Sequence, residues 1–150
     1  MTSKERVLQR ERQRGYEAAK AVQTNADNMT GTELYAVDDR IPSFDAACVK
    51  MNMLDRPIGF TCLSSSGRVV RLLQPYDSTI YTQQPEELPA QWGFKWSTDP
   101  AKALPFVAIS TSPYMTGDCC TENEKVYRST IDNNVWSPTD YSSGWQELSM

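Results

Sequence analysis

Polar and charged residues dominate the start of the chain, and the apolar ones recur there only at helical intervals. Thr2 and Glu5 have the spacing of a capping box, and good helix formers follow, so residues 3–23 are predicted to form a helix. Its apolar positions are few: Val7, Leu8, Tyr16, Ala18, Ala19 and Val22. Leu8, Gly15 and Val22 fall seven apart, but Arg12 interrupts the neighbouring heptad position, so the pattern stops short of a coiled coil. Gly15 costs about 1 kcal/mol against alanine within a helix and suggests close approach of another backbone. A helix this polar needs a partner surface, in its own body, in copies of itself, or in a larger assembly. The stretch Thr24–Thr32 is rich in turn formers and reads as a hinge or linker.

Beyond it the period shortens to that of strands, punctuated by Pro, Gly, Ser and Asp. Residues 68–74 (RVVRLLQ) form the clearest strand, matched later by 125–131 (KVYRSTI). Runs at 92–96 and 145–148 read as closing strands. Between them, Asp99 followed by Pro100 suits a cap and one or two helical turns.

These strands belong to a unit present twice. Gly59 and Cys62 align with Gly117 and Cys120, Val69 and Arg71 with Val126 and Arg128, and Ile80-Tyr81 with Val135-Trp136. Pro85 and Trp92 align with Pro138 and Trp145, and in both copies six residues separate Pro from Trp. Internal repetition of this kind decides the architecture. The expected fold is mostly β: an N-terminal helix followed by two related small three-stranded β modules. The expected divisions are 1–33 for the helix and linker, serving anchoring or oligomerisation, 34–96 for a degenerate first module, 97–116 for a connector and 117–150 for the second module. Each unit is too small to hold a sufficient core alone, so the two should share one.

Composition narrows the function. The net charge of −4 argues against nucleic acid as the main partner. No apolar run approaches the ~20 residues needed to cross a bilayer, and the amino terminus is charged where an export signal would be apolar. Residues 1–24 carry six Lys or Arg against three Glu, a net of +3, which leaves −7 on the remainder. A basic head on an acidic body suits docking onto an acidic protein surface, or simply a solvated helix face.

Enzymatic chemistry finds little support. The chain has no histidine, which removes Ser-His and Cys-His nucleophile arrangements. It has no phosphate-gripping glycine loop, and its neighbouring carboxylates, Asp38-Asp39 and Glu86-Glu87, say nothing of two-sided acid–base geometry. Cys48, Cys62, Cys119 and Cys120 are read as reduced packing residues, with Cys119 and Cys120 pointing to opposite faces of a strand. No catalytic residue, metal ligand or cofactor is expected.

Gly117-Asp118, Lys125-Val126-Tyr127, the loop Asn133-Asn134-Val135-Trp136-Ser137-Pro138 and the closing Trp145-Gln146-Glu147 together resemble the small carbohydrate-binding modules of the chitin-binding type 3 kind. With this loop they look especially like modules ending short virion proteins of tailed bacteriophages, and residues 30–42 also resemble such proteins. The resemblance covers 117–148, extends loosely over 30–110 and does not include the helix. It implies a non-enzymatic virion protein, a capsid decoration, head fibre or tail component displaying glycan-binding modules. The alternative is an assembly or cement protein whose modules contact neighbouring subunits without binding sugar. Trp136 would stack on a pyranose ring, with Tyr81 at the equivalent place in the first module; packing beneath the Pro138 loop is the competing role for Trp136. Asn133 and Asn134 could bond sugar hydroxyls or simply hold turns. Tyr141 is the remaining candidate, although Leu88 in its place in the first unit argues for packing. Trp92, Trp145 and Tyr127 are expected in the core. The implied partners are major virion proteins through the helix, cell-surface glycans through the modules, and further copies in a homo-oligomer, a trimer by expectation. Nucleic acid and membrane are not among them. The implied location is the virion, after synthesis in the host cytoplasm.

Overall fold

A computed structural model describes residues 2–149. Helix α1 (Ser3–Asn25) begins at the Thr2–Glu5 capping box and runs on through a 3-10 turn, Ala26–Asn28, as one 26-residue helical element. Two short helices follow, α2 (Gly31–Ala36) and α3 (Phe44–Lys50), with 3-10 turns at Asp38–Arg40 and Met53–Asp55. Then come two small sheets. The first holds β1 (Thr61–Leu63), β2 (Val69–Leu72) and β3 (Trp92–Phe94). The second holds β4 (Leu104–Pro105), β5 (Cys119–Glu122), β6 (Lys125–Ser129) and β7 (Trp145–Leu148).

At 36% helix and 19% strand the fold is mixed α/β, which corrects the mostly-β expectation. The difference lies in residues 30–55, where 30–32 are expected to end the linker and 33–55 to form strands. Three side-chain caps turn them into helices: Thr30 with Glu33 in a second capping box, Ser43 onto the Ala46 amide, and Asn52 onto the Leu54 amide. The apolar residues of α2 and α3, Leu34, Tyr35, Phe44 and Ala47, are buried. Thr24–Thr32 is likewise no free linker. Ala26 is buried, and Asp27 forms an ion pair with Arg71 of β2. Gln23 binds both backbone groups of Thr61, accepting its N–H at 3.0 Å and donating to its carbonyl. The root of α1 is thereby fastened to the outer edge of β1.

Both sheets contain an antiparallel three-stranded meander, and their ladders correspond. Thr61, Arg71 and Gly93 lie abreast in the first as Cys119, Arg128 and Gln146 do in the second. Cys62, Val70 and Phe94 match Cys120, Tyr127 and Glu147, and the pair Leu72–Trp92 matches Ser129–Trp145. The flanking bonds agree too. The Gly59 amide donates to Leu72 O at 2.8 Å and that of Gly117 to Ser129 O at 2.9 Å. Gly59 and Gly117 share a left-handed conformation, φ +95° and +97°, which only glycine adopts without strain. Strand β4, parallel to β5, has no counterpart in the first sheet.

One core serves both sheets. Trp96, just after β3, stacks on Tyr114, just before β5, with centroids 4.2 Å apart and planes 12° from parallel. Tyr114 meets Phe106 at 5.4 Å and the edge of Trp145 at 5.3 Å. Trp92 lies between Phe44 and Tyr76 in edge contacts, and its indole N–H donates to the Tyr76 hydroxyl at 3.0 Å. Trp92 and Trp145 are buried as expected, and Tyr127 is half-buried against the same cluster. Cys119 and Cys120 do not alternate in and out, for both are buried. Cys120 enters the shared core, whereas the face carrying Cys119 is covered by the 97–102 segment, whose Ser97 carbonyl accepts the Cys119 amide at 2.8 Å.

Arg68 ties β2 to its surroundings from a buried position, donating to Ser66 Oγ at 2.8 Å, Glu86 at 3.2 Å and Pro105 O at 2.7 Å. Burial would raise the Glu86 carboxyl, but hydrogen bonds from Ser64, Ser66 and Arg68 outweigh it and hold Glu86 below its ordinary value of 4.5. Its stabilisation is therefore present above the ordinary value and is lost as pH falls through the lowered one. In urea titrations the stability gap between wild type and Glu86→Gln should be widest near neutral pH and shrink as pH falls below the ordinary carboxyl value of 4.5. A gap independent of pH would contradict this. Two glycines should respond oppositely to alanine. At Gly31 a Cβ would lie 1.9 Å from Trp96 O, so Gly31→Ala should cost about 1–3 kcal/mol on unfolding. At Gly15 nothing lies within 4 Å, so Gly15→Ala should raise helicity in circular dichroism.

Candidate functional site

The loop between β6 and β7 is built around Asn134. Its backbone pairs with Tyr114 in both directions, at 3.0 and 2.8 Å. Its side-chain amide donates to Ser129 Oγ at 3.1 Å and Gly144 O at 3.0 Å, while its carbonyl oxygen accepts the Trp136 amide at 3.3 Å. With an exposure of 0%, Asn134 is the clamp of the loop and offers no surface to a ligand, which corrects its candidacy for sugar contact. Asn133 is exposed and left-handed, φ +55°, a conformation asparagine tolerates better than most residues.

This clamp holds Trp136 outward, 49% exposed, rather than packed beneath Pro138. The Trp136 carbonyl accepts the indole N–H of Trp145 at 2.8 Å, so the core tryptophan sets the position of the surface one. Tyr141 stands beside it, centroids 5.5 Å apart and planes 76° from parallel. The two rings form a corner rather than a flat strip. Tyr141 also lies on Gly144, where a Cβ would come within 2.8 Å of its ring. Glu122 accepts both the amide and the hydroxyl of Thr139, at 2.9 and 2.8 Å, and Asp132 accepts the Thr116 amide at 3.0 Å. No Lys or Arg occurs from residue 129 to 149, so the corner sits in an acidic segment.

Tyr81 lies in the corresponding loop of the first sheet and is 54% exposed. Where the second loop has Tyr141, the first has Leu88, packed against the core, so Tyr81 lacks that aromatic neighbour. Its loop is fastened elsewhere: Asn52 donates to Asp77 at 3.0 Å, and the Met53 amide donates to Ser78 Oγ at 3.1 Å. Trp136, Tyr141 and Asn133 thus share one loop surface, while Tyr81 belongs to another.

Two further features take their position from the tertiary structure. Residues 2–17 of α1 are exposed on every side, a rod of about 22 Å at 1.5 Å per residue. Among the described residues its Arg6, Arg10, Arg12 and Arg14 take part in no ion pair. Near its root, an open cleft of ≈ 730 Å³ separates α1 from α3, and Lys20, Arg40, Lys50 and Arg56 line it. The Arg56 guanidinium lies over Phe60 at 4.3 Å and donates to Ala47 O at 2.9 Å.

Among the described residues, the titratable groups with shifted values are spread through the core and the turns. Burial lifts all four thiols, Cys120 to about 12, which works against thiolate formation. Asp118 is raised, by burial first and by the nearby Asp132 charge, and it accepts the Met115 amide as a turn cap at 2.8 Å. Among the described residues no three His, Cys, Asp or Glu side chains gather to hold a metal ion, and no helix is long and apolar enough to cross a membrane. No protein family, curated protein or solved structure matches the chain in the comparisons made.

The contrast between clamp and corner is measurable. Asn134→Ala leaves the Trp136 amide without its acceptor and removes the buried bonds to Ser129 Oγ and Gly144 O, and should cost about 1–3 kcal/mol of stability. Trp136→Ala removes a half-exposed ring and should cost less than Trp92→Ala, for which about 3–5 kcal/mol is expected. Equal losses at Trp136 and Trp92 would make Trp136 a core residue.

Proposed function

We infer that the chain is a non-enzymatic attachment-and-display protein of a tailed-phage virion, consistent with the sequence resemblance of residues 117–148. The observation that carries this reading is the free rod of α1: residues 2–17 are exposed, basic and joined to the body through a fixed root. Such a helix has little stability alone and gains it by docking. The body is the displayed part, two sheets descended from one duplicated unit, as their matching registers and left-handed glycines support.

In this role the Trp136–Tyr141 corner receives a glycan of the host surface. The apolar C–H face of a pyranose ring lies on one aromatic ring, and exposed Asn133 bonds to hydroxyls. The second reading, an assembly protein that binds no sugar, is favoured by one specific observation: the exposed aromatics sit in acidic, cation-free segments while unpaired arginines crowd the helix. Such complementarity also serves subunit contacts.

Two measurements test the proposal. Deleting residues 2–17 should abolish incorporation into particles while leaving the body folded; undiminished incorporation would refute attachment by the helix. Wild type should be retained on host cell-wall polysaccharide and Trp136→Ala should not. Absence of retention for wild type would leave the assembly role in place of display.

A further inference from the structure

The helix has an unpaired basic flank, and the body has a surface that complements it. Arg6, Arg10 and Arg14 stand one turn apart on α1, so they share a side, with Val7 exposed beside them. On the body, hydrogen bonds stitch three segments together. Gln84 donates to Asp45 of α3 at 2.8 Å, Asn52 donates to Asp77 at 3.0 Å, and the Met53 amide donates to Ser78 Oγ at 3.1 Å. Around these seams large apolar side chains face solvent: Val49, 88% exposed, Ile80, 68% exposed, and with them Met51, Leu54 and Tyr81. Isolated exposed apolar residues are ordinary, but five on adjoining segments mark an interaction surface.

This patch is acidic. Asp45, Asp55, Asp77 and Glu87 belong to its segments, and residues 72–94 contain no Lys or Arg. The two cations of the 49–58 stretch, Lys50 and Arg56, line the cleft toward α1 instead. The chain's own helix does not lie on its own patch, because residues 2–17 are exposed along their length while the root is pinned at Thr61.

We propose that the arginine flank of α1 docks on the Val49–Met51–Leu54–Ile80–Tyr81 patch of a second copy of this chain. The proposal rests on the reading of α1 as an attachment element and names the surface that receives it. Apolar contact through Val7 excludes water at the centre, and Arg6, Arg10 and Arg14 meet the surrounding carboxylates. The contact joins two different surfaces, so it is heterologous: each copy gives a helix to one neighbour and receives one from the other. It closes into a ring when the rotation between copies permits and otherwise extends as a chain. Under this assignment the first module serves assembly, and the Trp136–Tyr141 corner of the second remains uncovered.

Sedimentation of the full chain at low salt should show concentration-dependent association, weakened about tenfold or more at ~0.5 M salt. Arg10→Glu with Arg14→Glu should sediment as a monomer, as should Asp55→Lys with Glu87→Lys. All four positions are exposed, and circular dichroism of each variant should match wild type. Mixing the two variants should restore association at 1:1 stoichiometry, because the acidic helix of the first fits the basic patch of the second and the unchanged basic helix of the second fits the unchanged acidic patch of the first. A wild type monomeric at every concentration, association indifferent to either charge reversal, or a mixture that stays monomeric would each overturn the proposal. If the wild type is monomeric and particle incorporation still requires residues 2–17, attachment by the helix stands and the self-docking fails.

Discussion

The stacked pair Trp96 and Tyr114 is the contact on which the rest of the structure depends. Trp96 ends the run that leaves the first sheet, and Tyr114 begins the run that leads into the meander of the second. Each meander has three short strands, marginal alone, because such a sheet needs an apolar face covered by something else. The stack places the two apolar faces in a single cluster, where Val70, Leu72, Trp92 and Phe94 from one meet Cys120 and Trp145 from the other. The Trp96 indole N–H donates to Ser112 O at 2.9 Å, and Ser112 Oγ receives the Phe94 amide at 2.9 Å, so the joint is satisfied in its polar groups as well.

Around this core a few buried polar groups set the position of everything that reaches the surface. Tyr35 of α2 donates its hydroxyl to Lys95 O at 2.9 Å and receives the Val69 amide at 3.1 Å, joining the helical layer to the first sheet. Gln23 fixes the direction of the rod, and Asn134 fixes the aromatic corner. Each is a side-chain amide or hydroxyl standing where a backbone partner would otherwise be missing. The surface features are thus consequences of interior bonding: the rod projects because its last turns alone bury Val22 and Ala26, and Trp136 faces outward because its own backbone is committed to Asn134 and Trp145.

Much of this was legible in residue order. The alignment of Gly59 with Gly117 and of Trp92 with Trp145 reports shared backbone requirements, and both pairs occupy matching places. The Thr2–Glu5 box marked the start of α1, and Asp99-Pro100 marked the 3-10 turn at Pro100–Lys102. The helices at 31–50 went unread because each is too short for periodicity to show, although Thr30–Glu33 carried the same capping signal as Thr2–Glu5. The covered outer face of Cys119 was invisible for a different reason. Strand alternation predicts direction, and it does not say what lies on either side.

Sequence alone determined the local and repeated parts: helix caps, the doubled strand pattern, the closing tryptophans, and the separation of a basic head from an acidic body. These follow from neighbours along the chain, whose propensities and spacings act whatever the rest does. Only the tertiary structure decided which of two adjacent asparagines, Asn133 or Asn134, faces solvent, that the rings of Trp136 and Tyr141 meet edge to face at 76°, and that residues 2–17 of the helical arm stand clear of the body. Those outcomes depend on contacts between residues far apart in the chain, where burial and hydrogen-bond satisfaction choose among side chains of equal local fitness.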